Sequence, residues 1–458
     1  MFTFFKDKVY LKQIFALSIP IALQNLFTAI LNIFDQLMVG WLDPAIADYC
    51  LSAVLLVNQI IFMFQIIMFA VCNTVNIFLA QYTQNGKDDL IPHRVGVVLS
   101  INLGFCIAMT LLCYFAPQTV VSMFNPNANY AGYAAEFLKV VSLSFVPMGL
   151  SITFGFVLRS IKRLNVPLIA MLVGVLSNIF FNYILMFGKL GCAEQGLVGA
   201  AWGTVISRLI EFALIFGGLL IFKYPVIASP KKMFYIDKVF NKQYFKMFFP
   251  IVCNELFWVL STTVFLYVYD KLPDSQVVLA GVNIASCVDR ILSVAVFGVG
   301  TAAAVLISNA IGEQDEQKLQ RYTKYSVQFG FFIGLIAGAM TFASAFFTPS
   351  FFINVSPQAQ RVAKILLMIY AFTASQRSLS FMLVVGILRS GGDTTYCMVA
   401  ETIIVWAIAV PLVMVGGLVF GLNIYILHIF IMLAELLKVI TFFLRTRKFD
   451  KWVKLKTT

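Results

Sequence analysis

Charge is scarce in this chain: 12% of its 458 residues are Asp, Glu, Lys or Arg, against 60% hydrophobic ones. A soluble domain carries about a quarter charged residues, so a water-exposed globular fold cannot be drawn from this composition. Histidine is nearly missing, with His93 and His428 standing alone, and the eight cysteines at 50, 72, 106, 113, 192, 253, 287 and 397 occur singly without a CxxC pair. Neither a disulfide framework nor a Cys/His metal site is indicated, and no cofactor is expected. No HExxH and no serine–base arrangement with a histidine in a span occurs, which argues against a membrane-embedded enzyme. Ten-residue alternating segments, the mark of a transmembrane barrel, are absent too, as is a filter-like loop that would suggest a channel.

What fills the chain is long apolar runs, each exceeding the roughly 18 residues that mark a bilayer-spanning helix. Between polar breaks they fall at about 11–41, 49–80, 94–116, 132–160, 165–188, 196–223, 243–272, 276–311, 322–347, 358–388, 394–420 and 421–446. The first run carries Pro20, Gln24, Asn25, Asn32 and Asp35 and lacks a small-residue cleavage site, so it reads as a span and not as a removed signal. An even count puts both termini on one side. The basic residues sort to that side, including Lys6, Lys8, Lys12, Lys87, Arg94, Arg159, Lys162, Arg163, Lys231, Lys232, Lys318, Arg445 and Lys448, leaving Lys189, Lys271, Arg361 and Lys364 on the other. The positive-inside rule then makes both termini cytoplasmic, in a multi-pass protein of the cell inner membrane. The net charge of +12 is thereby a topology signal, and no nucleic-acid partner is expected.

The longest break, KYPVIASPKKMFYIDKVFNK at 223–242, divides the chain into an N-lobe at 1–222 and a C-lobe at 243–458 with a basic tail. The expected fold is all-α: twelve transmembrane helices in two six-helix bundles related by a pseudo-two-fold axis along the membrane normal. PIALQNLF at 20–27 resembles PIVCNELF at 250–257, AQYTQNGKDD at 80–89 matches SNAIGEQDEQ at 308–317 in position, and LRS recurs at 158–160 and 388–390.

Polar groups inside spans are costly and should face protein or a watery cavity. Helical phase gathers Gln24, Thr28, Asn32 and Asp35 into one stripe, and Asn58, Gln65, Asn73 and Asn76 into another. Further on, Glu255, Thr262 and Tyr269 share a face, as do Asn283, Arg290 and Thr301, and Tyr370, Thr373, Arg377 and Ser380. These stripes suggest a substrate cavity in an aqueous cleft between the lobes, lined by Gln24, Thr28, Asn32, Asn58, Gln65, Asn73, Thr262, Asn283 and Tyr370. Single Asn, Ser and Thr residues ordinarily join helices by hydrogen bonds. The buried acids Asp35 and Glu255 are read as functional, and Arg377 and Arg290 either as functional groups or as structural partners of a buried acid. Adjacent Asp289 and Arg290 point about 100° apart and need not pair. Arg208, Glu211, Glu435 and Lys438 are read as packing or interfacial charges.

With PIALQNLFTAILNIFDQLMVG, the paired LRS segments, GGDTT at 391–395, SNIFFNYIL at 177–185, GLVGAAWGTVIS at 196–207 and PIVCNELF in view, the chain resembles the multidrug and toxic compound extrusion (MATE) transporters of bacterial type. That resemblance implies drug extrusion driven by an inward proton or sodium gradient. It implies a cation-coupling site at Asp35, Asn178, Asn182 and Thr204, where Asn182 replaces the usual acid, and a possible sodium ion at Asp35. In the C-lobe it points to Glu255. Where other members carry an acid in the tenth span, this chain has Gln376, Arg377 and Ser378, so Arg377 is the candidate partner of Glu255 and a second sodium site is in doubt. The charged C-lobe set is Glu255, Arg377, Asp289 and Arg290.

The function expected is a cation-coupled antiporter, using H+ or Na+, that exports small organic cations or amphipathic drugs by alternating access and works as a monomer in the lipid bilayer. The alternative is a lipid-linked saccharide or lipid flippase of the same superfamily, which Arg290 and Arg377 support and the acidic stripe of the N-lobe does not.

Overall fold

The computed structural model describes residues 3–39, 41–42, 47–84, 91–124, 130–222, 224, 233, 237–347 and 356–453, with a few side chains inside helices, Asn32 among them, outside the described set. Lys87, Lys231, Lys232 and most of the expected linker at 223–242 lie outside the described residues.

The described residues are arranged as long helices: α1 (Lys8–Val39), α2 (Ala47–Gln84), α3 (Ile91–Phe115), α4 (Ala131–Ser160), α5 (Asn165–Phe187), α6 (Gly196–Ile221), α7 (Lys238–Asp270), α8 (Ser275–Gly312), α9 (Glu316–Ser344), α10 (Pro357–Leu388), α11 (Thr394–Val419) and α12 (Ile424–Thr446). Among the described residues eleven of these, α2 to α12, contain a stretch long and apolar enough to cross a membrane. Helix α1 has 32 residues, about 48 Å at 1.5 Å per residue.

Helix ends follow local chemistry. Asp315, Ser356 and Asn423 accept hydrogen bonds from the backbone N–H of Lys318, Ala359 and Ile426, filling free donors at the starts of α9, α10 and α12. Pro357 at the first turn of α10 has no N–H to leave unpaired. Helix α5 stops at Gly188, whose φ of 62° is open to glycine without the Cβ clash that other residues meet. Met382–Leu388 at the end of α10, and Ile404–Ala409 and Val415–Val419 within α11, are wound as π-helix, which shifts the faces these helices present relative to a regular α-helix.

Two compact units arise, Leu23–Lys242 in one and Met1–Ala22 with Gln243–Thr458 in the other. The boundary differs from the expected one: the first 22 residues, assigned from sequence to the N-lobe, pack with the second half. Aromatic and hydrogen-bonding groups hold them on α9. Tyr10 meets Ser326 at 3.1 Å, Tyr322 donates to Gln13 at 2.9 Å, and Phe4 packs edge-on against Phe329. Pro20 falls just before the changeover, where its missing N–H leaves α1 one hydrogen bond short. The core of the Leu23–Lys242 unit is aliphatic and aromatic, with Val57, Phe64, Leu138, Phe145 and Ala201 buried together; that of the other unit joins Val268, Ala285, Leu366, Leu367 and Leu427.

Candidate functional site

In the Leu23–Lys242 unit, α1, α5 and α6 bring the expected cation-coupling residues together. Asn182 Nδ2 donates to Asp35 Oδ1 at 2.7 Å and to Asn178 Oδ1 at 3.0 Å, while Asn178 Nδ2 reaches Thr204 Oγ1 at 3.3 Å. Spacing explains the link between the two asparagines: Asn178 and Asn182 lie one helical turn apart on α5 and share a face. The approach of α6, which carries Thr204, depends on Gly203. A Cβ there would lie 2.0 Å from Asn182 Oδ1, so only glycine lets α6 approach this amide. Both asparagines are 1% exposed, and Asn182 Oδ1 is an acceptor without a partner. Asp35 thus has a neutral amide as its hydrogen-bond partner, while the nearby cation Arg208 is taken up by Glu211 at 2.6 Å. One carboxylate and several neutral oxygens and amides can exchange a proton, or gather round a small hard cation after the amides turn.

The Gln243–Thr458 part carries two charged clusters. Arg377 on α10 forms a two-pronged salt bridge with Asp289 on α8, both bonds 2.7 Å. Its guanidinium lies over the Tyr370 ring at 5.2 Å, and the Tyr370 hydroxyl meets His428 Nε2 at 3.1 Å. Glu255 is bound instead by Arg389, at 2.8 Å. This corrects the expected pairing of Arg377 with Glu255: periodicity placed Arg377 on a polar face without naming the acid across from it, and its guanidinium fork meets Asp289. Arg290 is exposed and lies apart from this pair, as the 100° offset from Asp289 anticipated.

The second cluster contains a residue that the sequence reading missed. Glu401 on α11 accepts from Asn254 of α7 at 2.8 Å and from Lys438 of α12 at 3.1 Å; Lys438 also donates to Glu435 at 2.8 Å. Lys438 is 4% exposed, so the pair read as packing or interfacial is a buried ion site. A lone acid in the run MVAETIIVW was the available signal. Beside Asn254 and Glu401 lies a small cleft lined also by Phe257, Trp258, Thr402, Val405 and Trp406.

The expected cavity residues have varied surroundings. Thr28 and Thr262 donate to carbonyls of their own helices, at Gln24 and Val259, which satisfies them locally. Gln65 reaches the sulfur of Met148 at 3.3 Å. Asn58 and Asn73 are half-buried, and Asn283 is exposed. No group of three or more His, Cys, Asp or Glu side chains suited to a metal occurs among the described residues.

Eleven apolar helices with acids and bases buried between them define a polytopic helical membrane protein. Comparison with known proteins narrows this class: the family model MatE matches residues 20–184 and 250–415, and the chain belongs to this family of membrane transporters. The two matches begin 230 residues apart, the same offset that relates PIALQNLF to PIVCNELF. A probable multidrug resistance protein NorM of Halalkalibacterium halodurans is 23% identical over 73% of this chain and 72% of its own length. Another probable NorM, of Thermotoga maritima, is 22% identical over 88% of this chain and 85% of its own. Among solved structures, a multidrug resistance MATE family transporter of the MOP superfamily in an outward-facing conformation superposes with a TM-score of 0.86. It is 18% identical, covering 97% of this chain and 96% of that one, a likeness that shows the fold.

Proposed function

We propose that this transporter is a cation-coupled multidrug antiporter of the inner membrane, exporting small organic cations or amphipathic compounds by alternating access, with α1 as the twelfth span and both termini cytoplasmic. The observation that carries the reading is Asp35, a carboxylate within a span whose hydrogen-bond partner is the neutral amide of Asn182. An ion-paired acid resists protonation because its partner cation would be stranded; an acid beside an amide does not. Turning the amide exchanges donor for acceptor, so Asn182 serves the charged carboxylate through Nδ2 and the protonated one through Oδ1, which has no other partner. This symmetry of service favours a proton over sodium as the coupling ion.

Coupling requires that ion and drug favour different states of the protein, since a ligand of equal affinity for both shifts nothing. One proton entering across 100 mV contributes about 2.3 kcal/mol, to which its concentration gradient adds. The resemblance to proteins named for multidrug resistance supports the substrate class. The test is gradient-driven efflux of a cationic dye from vesicles containing the purified protein, wild type against Asp35→Asn. Asn is nearly isosteric and neutral, so the fold should persist while coupled efflux is lost. Wild-type efflux in Asp35→Asn would overturn the coupling role; early melting of the variant would make Asp35 a structural group.

A further inference from the structure

The recurring LRS segments do the same thing in both halves of the chain, and the difference between them exposes a site. At the end of α10, Arg389 reaches the first helix of the second half and binds Glu255. At the end of α4, Arg159 reaches the first helix of the first half and its Nη2 donates to Gln24 Oε1. An offset of 230 residues maps Arg159 onto Arg389 and Gln24 onto Asn254, the neighbour of Glu255. The brace is therefore repeated, but the acid is not. Among the described residues Arg389 is neutralised and Arg159 has no carboxylate in ion-pair range.

The groups around Arg159 are donors in excess. Gln24 is 2% exposed and its Nε2 has no partner; Arg159 Nε is likewise buried and unpartnered. The guanidinium rests over the Phe156 ring at 4.8 Å, which orients its plane without neutralising it. A buried guanidinium is stable only when its charge is answered, and its fork of N–H groups matches a planar or tetrahedral oxyanion. Two unused N–H donors on adjacent side chains, beside an unanswered positive charge, fit that ligand and no cation.

We propose that Arg159 and Gln24 form an oxyanion-binding subsite, taking the carboxylate of an amphipathic substrate or the phosphate of a lipid headgroup. It goes beyond the coupling reading, because it concerns binding without any gradient and Asp35 takes no part in it.

The experiment introduces the missing acid. Gln24→Glu supplies Arg159 with the partner that Glu255 gives Arg389, and so should close the subsite while keeping the brace. Fluorescence polarisation would measure binding of rhodamine B, a xanthene cation with a free carboxylate, and of its ethyl ester, which lacks it. If the source is a substrate carboxylate, rhodamine B binding weakens about tenfold, the loss of one charge-assisted contact, while the ester is unaffected. If the source is a lipid, both dyes bind the variant as they bind wild type, and phosphorus analysis of the purified protein falls by about one phospholipid per chain. Arg159→Lys should retain most of either signal and Arg159→Gln should lose it, which separates charge from folding. Unchanged dye affinities together with unchanged bound phosphorus in Gln24→Glu and Arg159→Gln would overturn the subsite.

Discussion

Gly203 offers the sharpest test of the α1–α5–α6 site, because Gly203→Ala removes no polar group and adds one methyl. Its Cβ would stand 2.0 Å from Asn182 Oδ1, 2.9 Å from Asn182 N and 3.0 Å from Asn182 Cγ. The amide must therefore swing away by more than an ångström, and α5 must also yield slightly. Such overpacking costs about 1–3 kcal/mol, partly offset by the roughly 1 kcal/mol that alanine gains over glycine in a helix. The net loss of stability should be small. The loss of function should not: Asn182 leaves both Asp35 and Asn178, and the bond to the carboxylate is charge-assisted, about 1.5–3 kcal/mol. If that bond is made in one state of the cycle only, coupled efflux should fall roughly ten- to a hundredfold. The assay pairs gradient-driven dye efflux with thermal unfolding, and uses Gly199→Ala as the control. Gly199 packs one turn earlier, where an added Cβ would stand 2.6 Å from the Leu185 carbonyl of α5 and 2.7 Å from Met186 N. Normal efflux in Gly203→Ala would refute the reasoning, and so would an equal loss in both variants, which would trace the effect to helix spacing.

Other outcomes follow from the ion pairs and from the tail. Arg377→Ala should destabilise the protein by about 3–5 kcal/mol, because it strands the half-buried Asp289; Arg377→Ala with Asp289→Asn should recover much of this, as a double-mutant cycle by thermal unfolding would register. A double-mutant cycle by thermal unfolding should couple Glu255 to Arg389 and not to Arg377, the reverse of what the expected pairing required. Lys438→Met should melt early by a similar margin, since it leaves both Glu401 and Glu435 without their cation. Trp452 is fully buried, its ring covering Gly391 and its Nε1–H bound to the Thr446 carbonyl. Trp452→Ala should cost about 3–5 kcal/mol and open the α10–α11 turn to proteolysis.

Span positions were legible because a bilayer demands long apolar runs, and the runs stand clear of their breaks. The grouping of Asp35 with Asn178 and Asn182 was legible through resemblance and through phase: Asn178 and Asn182 share a face whatever surrounds them. Partner choice was not. Arg377 could be placed on a face by counting 100° per residue, but which acid stood across from it depended on the crossing of α8, α10 and α7; further along α10 the π-helical turn at Met382–Leu388 shifts the register of Arg389, the partner of Glu255, without a mark in the sequence. Glu401 was overlooked because one acid in an apolar run carries no periodicity, and its meaning comes from Asn254 and Lys438, 147 and 37 residues away. The grouping of Met1–Ala22 with the second half was hidden for the same reason, since its aromatic contacts lie more than 300 residues away along the chain.

The two halves treat intramembrane charge differently, and the difference bears on where a mobile ion belongs. Glu255 and Asp289 each have an arginine of their own, and Glu401 and Glu435 share one lysine. Each of these contacts ties two helix positions together by a charge-assisted hydrogen bond. In α7, α10, α11 and α12 the cluster of Glu255, Glu401 and Glu435 faces Arg389 and Lys438, three negative charges against two positive, and its surplus is spread over shared partners. Asp35 is differently placed. Its amide partner makes no demand that it stay charged, and Gly203 keeps that partner within reach. A group proposed to gain and lose a proton in the transport cycle is better served by such a neighbour than by a fixed cation, because protonating it strands no partner charge in the protein. This is the physical ground for seeking the coupling ion at Asp35 and for reading the paired acids of the second half as the rigid part of the machine.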